Sequence, residues 1–346
     1  MCGIVGMYLD APRHEIRHGL TVEHPHYPIV PKVGMTIAPI LLALSQRATI
    51  ARIIREGYDF DLIDAHYFYP DGVAAVLLGR WFNKPVVITG RGTDLSHIPD
   101  FTLPRRQIQW AAAHAASMIT VCQALKDSLI ELGVAGDRVT VLRNGVDLQS
   151  FRRLSDADRA AAREKYGLSG FAIGSVGHLI ERKGHHFVIE ALRELPGAQL
   201  VIAGGGPDHH RLMALAQAQG VADRVRLLGV LPHSELPSLY GALDTLVLAS
   251  SREGWANVLL ESMACGTPVV ASRIWGTPEV VSEPAATPVP VRSGIRTPAA
   301  GVKALMAAMP DRAATRAYAE RFSWDATTEG QLNLFREIIA RRSRPI

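Results

Sequence analysis

Short apolar runs alternate along this chain with longer stretches whose apolar positions recur at helical spacing. The runs at 61–65, 85–89, 118–122, 139–142, 171–176, 199–203, 225–228, 245–249 and 269–271 read as strands. Between them, 72–82, 104–116, 124–132, 156–166, 185–195, 207–219, 235–242 and 259–265 read as helices, the last stopped by Gly266 and Pro268. Three more helices, at 299–309, 313–321 and 324–341, close the chain. Repeated βα patterning predicts an α/β protein with parallel sheets covered by helices on both faces. Residues 1–35 are poorly periodic, and 284–298 reads as a loop with one short strand around Val289. The alternation breaks once, at Arg143-Asn144-Gly145-Val146-Asp147 followed by the charged helix at 156–166. That break sets a boundary near residue 150 between two doubly wound, Rossmann-like domains facing across a cleft.

At 346 residues, nearly half of them hydrophobic, the chain is large enough for two cored domains. The net charge of +4 is mild, and no basic block or basic-aromatic stripe marks a nucleic-acid partner. Cys2, Cys122 and Cys265 are too widely spaced for a metal pair or a disulfide framework, which fits a reducing cytoplasm. The apolar run at 33–44, with Gly34, Thr36 and Pro39, is too short to span a bilayer, and no signal peptide is evident.

In doubly wound sheets, ligands bind outside the carboxyl ends of the strands. The chemically suggestive residues fall there. After the strand at 245–249 come Ser250-Ser251-Arg252-Glu253-Gly254-Trp255-Ala256-Asn257-Val258, then the helix carrying Glu261. A helix N-terminus presents unpaired N–H groups and suits a phosphate. Glu253 lies on the turn and Glu261 one turn into the helix, on the same face as Asn257. A carboxylate that deep suits sugar hydroxyls rather than phosphate, as in dinucleotide folds; the alternative is a solvated pair flanking an ordinary helix. After the strand at 171–176, Gly177-His178 leads to Arg182 and Lys183, which suit a diphosphate clamp or form a solvated basic turn. Gly204-Gly205-Gly206-Pro207 ends another strand and lets a ligand approach the backbone, but it is not a dinucleotide fingerprint. His66 ends a strand and suits a sugar contact or proton shuttle, or a structural role. Arg91 and Asp94 after the next strand read as a ligand site or as a buried ion pair holding the loop. Trp255 reads equally as a ligand contact or a core aromatic. Met1-Cys2-Gly3 looks like the start of class II glutamine amidotransferases, but no such domain follows.

Taken together, the motifs resemble glycosyltransferase family 4, the retaining GT-B enzymes that use nucleotide-sugar donors. The resemblance rests on Asp64-Ala65-His66-Tyr67 through Gly72, Arg143-Asn144-Gly145-Val146-Asp147 with Phe151, 177–184, 204–207, the E-x7-E pair, Gly266-Thr267-Pro268 and Phe322-Ser323-Trp324-Asp325. It implies an acceptor domain at 1–150, completed by a C-terminal helix at 322–346, and a donor domain at 151–321. By position it implies Glu253 at the donor sugar, Glu261 at the ribose, Lys183 and Arg182 on the diphosphate, and His66 among the catalytic groups. It places Gly254, Trp255, Ala256, Asn257, Val258, Gly177, His178, Gly205, Gly206 and Asn144 around the donor. It implies no metal and no cofactor beyond the nucleotide-sugar itself. Here His178 stands where many members have Arg, and Arg91 where many have His. The family's opening strand and glycine-rich loop are not found, so the chain is expected to enter the fold at the second or third strand, its first domain incomplete.

The expected activity is sugar transfer from a nucleotide-diphosphate donor to a glycan or lipid-linked acceptor in surface polysaccharide synthesis. The expected location is cytoplasmic, with a peripheral membrane contact at 104–110. The alternatives are a GT-B sugar-nucleotide epimerase or hydrolase, and a non-catalytic nucleotide-sugar binding remnant.

Overall fold

The computed structural model describes residues 12–28, 34–281, 292–293 and 298–342. Met1, Cys2, Gly3 and Val289 lie outside the described residues. The chain divides into two compact units. The first comprises 1–120, 125–141 and 332–346, the second 121–124 and 142–331. The main segment of the second unit begins at Leu142 and takes the Arg143–Asp147 segment with it.

In the first unit, β1 (His14–Arg17) and β2 (Leu20–Glu23) form an antiparallel hairpin within the stretch expected to be irregular. The four-residue strands and the His18-Gly19 turn, both at positive φ, leave too short a run for periodicity to register. A parallel sheet follows in the order β3 (Ile63–His66), β4 (Val86–Gly90), β5 (Ser117–Thr120), β6 (Val139–Val141). The helix Gly34–Arg55 corrects the expectation for the apolar run at 33–44. It continues past Leu44, Pro39 notwithstanding, and by length and composition alone is long and apolar enough to cross a membrane. Leu42 and Ala43 pack against Ala74 and Leu78 of helix Val73–Phe82. Met35, Ile37, Ile40 and Leu44 are exposed.

The second unit holds a six-stranded sheet. Its strands are β7 (Phe171–Val176), β8 (Ala198–Ala203), β9 (Val225–Gly229), β10 (Thr245–Leu248), β11 (Val269–Ala271) and β12 (Arg292–Ser293). The order is β12-β11-β10-β7-β8-β9, and every pair is parallel. Successive strand residues point to opposite faces. Ile173, Leu200, Ile202, Val247 and Val270 meet Val188, Ile189, Leu212, Val302 and Leu305 of three helices on one face. Gly174 meets Leu243, at the end of helix Leu236–Ala242, on the other. Each fully buried Leu or Ile of such a core contributes roughly 1.5–3 kcal/mol. The chain winds outward from β7 through β8 and β9, then returns to β7's other side to lay down β10. The sheet's direction of growth thus reverses between β7 and β10, the point where such folds bind ligands.

Candidate donor site

Neighbouring parallel strands deliver their following loops side by side. β10 pairs with β7, Thr245 opposite Ile173 and Leu246 opposite Gly174. The loops after them, 70 residues apart in sequence, are joined by three contacts. Ser251 N–H donates to the Arg182 carbonyl at 2.9 Å. Arg182 Nη1 donates to the Arg252 carbonyl at 3.0 Å. Lys183 Nζ lies 2.7 Å from Glu253 Oε1. The Lys183 and Glu253 side chains are only 19% and 8% exposed, so this is a nearly dry ion pair and neither member is a solvated surface charge. The loops meet closely because Gly184 has φ +69°, and a Cβ there would lie 2.0 Å from the Ala249 carbonyl. On the other side of β7, a Cβ on Gly204 would lie 1.9 Å from the Gly177 carbonyl, and Leu179 N–H donates to Gly205 at 2.8 Å. Gly205 and Gly206 sit in this seam, Gly206 packed on the Leu179 carbonyl. His178 is exposed beside it.

The helix expected at 259–265 begins two residues earlier, at Asn257, and ends at Ala264. Among the described residues, no side chain caps its N-terminus. Gly254, Trp255 and Ala256 are buried ahead of it, Val258 is half-buried and Asn257 exposed. Asn144 Nδ2 donates to Asn257 Oδ1 at 3.2 Å, which brings those two expected residues together. Trp255 stacks obliquely on Phe322 at 6.0 Å and is 7% exposed, while its indole N–H has no acceptor among the described residues.

Glu261 is held one turn into the helix, its side chain 13% exposed. Tyr240 Oη donates to Glu261 Oε2 at 3.0 Å, and His233 Nε2 stands 3.8 Å from Oε1. Burial raises the Glu261 carboxyl above the usual glutamate range; the Tyr240 hydroxyl and His233 act in the opposite direction. Burial, with the adjacent carboxylate, also holds the Tyr240 phenol well above its ordinary value, so it stays a donor.

Sequence reasoning missed Tyr240 and His233. His233 follows β9, on the same carboxyl edge as the other loops, so the strand-end rule that found Glu253 reaches it too. Tyr240 gave no signal, because an aromatic at a helical apolar position reads as core.

His66 belongs to the first unit. It ends β3 beside Arg91, which follows β4. Arg91 Nε donates to His66 Nδ1 at 2.9 Å, and His66 Nε2 lies 3.2 Å from Asp64 Oδ2. Of the two readings of Arg91 and Asp94, the buried ion pair is not what holds this loop. Asp94 is buried and accepts the backbone N–H groups of Phe68 at 2.8 Å, Gly92 at 2.7 Å and Arg91 at 3.2 Å. Those amides hold the loop, while burial pushes the Asp94 carboxyl up. The Arg91 guanidinium is free to serve His66 instead.

Comparison with known proteins identifies the family. A family model described as Glycosyl transferases group 1 matches residues 158–321, and one described as Glycosyltransferase Family 4 matches residues 7–150. A D-inositol 3-phosphate glycosyltransferase of Acidothermus cellulolyticus is 31% identical over 366 residues, 96% of this chain and 79% of that protein. The protein of the same name in Segniliparus rotundus is 34% identical over 307 residues, 81% of this chain and 67% of that protein. Sucrose-phosphate synthase from Thermosynechococcus elongatus superposes with a TM-score of 0.81 at 21% identity, covering 96% of this chain and 87% of that one. Anabaena HepE, solved with UDP, gives 0.75 at 22% identity over 90% and 85% of the two chains. Two family models that divide the chain between them, and relatives matched along most of their own length, lead to one conclusion: this chain is a glycosyltransferase of family 4 with the GT-B fold.

Proposed function

We propose that the protein transfers a sugar, with retention of configuration, from a nucleoside-diphosphate donor to a glycan or glycolipid acceptor in surface polysaccharide synthesis. The observation that carries this reading is the joined pair of loops at the point where sheet growth reverses. It combines Arg182, Lys183 and Glu253 with an uncapped helix N-terminus and a buried Glu261. Glu261 takes the ribose hydroxyls. The amides of 254–258, with Arg182 and Lys183, take the diphosphate. The ammonium of Lys183 now rests on Glu253, and diphosphate binding draws it toward phosphate oxygen and frees Glu253 to accept from the donor sugar.

In the step itself, the acceptor hydroxyl oxygen bonds to the sugar's anomeric carbon on the face from which the diphosphate departs. The anomeric C–O bond to phosphate breaks, and the departing phosphate oxygen takes the acceptor's proton. Charge grows on that phosphate, and fixed cations and amides there lower the barrier without a metal. A uridine diphosphate sugar is the first donor to test, since HepE was also solved with UDP-glucose.

A second acceptor reading, a polyol phosphate, is favoured by the names of the inositol-phosphate glycosyltransferase relatives. On either reading the enzyme works in the cytoplasm, peripherally at the inner membrane face. The exposed apolar residues of helix Gly34–Arg55 support that placement better than 104–110, where Pro104 and Ile108 are buried. Purified protein offered a panel of nucleotide-sugars, with and without glycolipid or inositol phosphate, tests the proposal. Acceptor-dependent release of nucleoside diphosphate is expected. Release that no acceptor accelerates indicates an epimerase or hydrolase instead, and binding without turnover a non-catalytic remnant.

A further inference from the structure

We infer that Tyr240 is a positioning residue for donor binding: its buried hydroxyl holds Glu261 Oε2 and leaves Oε1 as the acceptor for the ribose. The inference rests on the ribose role proposed for Glu261. Tyr240 is 0% exposed on helix Leu236–Ala242, which packs on the helix Asn257–Ala264 that carries Glu261. Its ring lies 6.1 Å from that of Phe151, and its backbone carbonyl accepts from Thr267 Oγ1 at 2.7 Å. Enclosed in this way, the ring cannot swing away, so packing fixes the phenolic oxygen beside Glu261. The 3.0 Å bond to Oε2 is the closest partner of the carboxylate among the described residues.

An ionised carboxylate accepts ribose hydroxyls more strongly than a protonated carboxyl does, and a carboxyl this dry resists ionisation. The Tyr240 hydroxyl offsets that resistance. The other groups facing Glu261 are accounted for. His233 approaches Oε1 from the loop after β9, and its ring packs edge-on against Phe151 at 5.2 Å. Asp147 sits on the neighbouring loop, bonded to Ser150. Cys265, on the same helix end, is a thiol pushed up to about 12 and stays neutral. Arg312 and Arg316, on the packed helix Arg312–Ala319, are engaged by carbonyls, among them those of Cys265 and Ala264.

The sign follows. A carboxylate that binds more tightly when charged loses affinity as pH falls through its pKa. Tyr240 stabilises the charged form, so its removal moves that loss to higher pH. A hydrogen bond to a charged group is worth about tenfold or more, and tenfold is about one pH unit.

The test is calorimetry on the full chain from about pH 5 to about pH 8.5. The probe is whichever of uridine, guanosine and adenosine diphosphate binds tightest. Tyr240→Phe keeps the ring and the packing. The expected result is affinity close to wild type at the alkaline end and about tenfold weaker at the acid end. Glu261→Gln is expected to weaken binding at every pH, and adding Tyr240→Phe to it to change nothing further. The Tyr240→Phe shift persists in a His233→Asn background, which removes the imidazole that approaches Oε1. A purely structural role for Tyr240 gives a loss independent of pH, and that result overturns the inference. So does a Tyr240→Phe profile that tracks wild type while Glu261→Gln binds weakly. If Glu261→Gln itself binds like wild type, or none of the three diphosphates binds, the ribose reading fails and this inference with it.

Discussion

Replacing Lys183 by alanine separates two things that its ammonium does. The first is structural. Nζ lies 2.7 Å from Glu253 Oε1, and the carboxylate is only 8% exposed. Removing one partner of a buried pair leaves the other charged and poorly hydrated, at a cost of about 3–5 kcal/mol. A unit of this size loses about 2–4 °C of melting temperature per kcal/mol, so a fall of roughly 6–20 °C is expected in the transition that reports the second unit. The second is chemical. The departing diphosphate loses a fixed positive charge, and turnover should fall about a hundredfold or more. The double variant Lys183→Ala, Glu253→Ala distinguishes them. With no lone carboxylate left, most of the lost melting temperature returns, while turnover stays low. Differential scanning calorimetry and steady-state rates on the two single variants and the double variant complete the cycle. Wild-type turnover in Lys183→Ala would refute the catalytic argument. A melting temperature equally low in the single and double variants would refute the ion-pair argument.

Glu261→Ala should weaken nucleoside-diphosphate binding by about 1–3 kcal/mol with the fold intact; unchanged affinity in calorimetry removes Glu261 from the ribose. Arg182→Ala should cost about a hundredfold in turnover, comparably to Lys183→Ala, because His178 leaves Arg182 to share the phosphate charge; a rate within a few-fold of wild type assigns Arg182 only to its bond with the Arg252 carbonyl. Gly204→Ala should destabilise the second unit by at least about 1 kcal/mol, since φ is +150° and the new Cβ would lie 1.9 Å from the Gly177 carbonyl; an unchanged melting curve contradicts the close approach of the two loops. Chelation with EDTA should leave turnover unchanged, and magnesium should not raise it; a rate lost to EDTA and restored by a divalent cation puts a metal on the diphosphate.

Much of the architecture was legible in the sequence because βα units are local objects. Apolar runs mark strands, helical spacing marks their crossovers, and glycine and proline mark the stops. Since ligands gather at strand ends, the same pattern picks out the loops at 177–184, 204–207 and 253–257 from the sequence alone. The hairpin His14–Arg17 with Leu20–Glu23 escaped, because two four-residue strands carry too little periodicity. The helix Gly34–Arg55 escaped as well, because its apolar run carries Gly34, Thr36 and Pro39 and nothing in the local sequence shows what the helix packs on.

The sequence alone determined which residues were available for chemistry: a lysine and an arginine after one strand, a glutamate after another, and a second glutamate eight residues on. Only the tertiary structure decided that Lys183 and Glu253 meet. They are 70 residues apart, and the contact exists because β10 returns to lie against β7. Only the tertiary structure, too, decided the state of Glu261. Helical spacing put it one turn below Asn257, but its dryness and its bond to Tyr240 come from a second helix packed over it. The physical reason is one of range. Periodicity and turn chemistry act between residues a few positions apart and are written in the local sequence. Strand order and burial arise from contacts between distant segments, and those contacts fix which charges meet and how much water they keep.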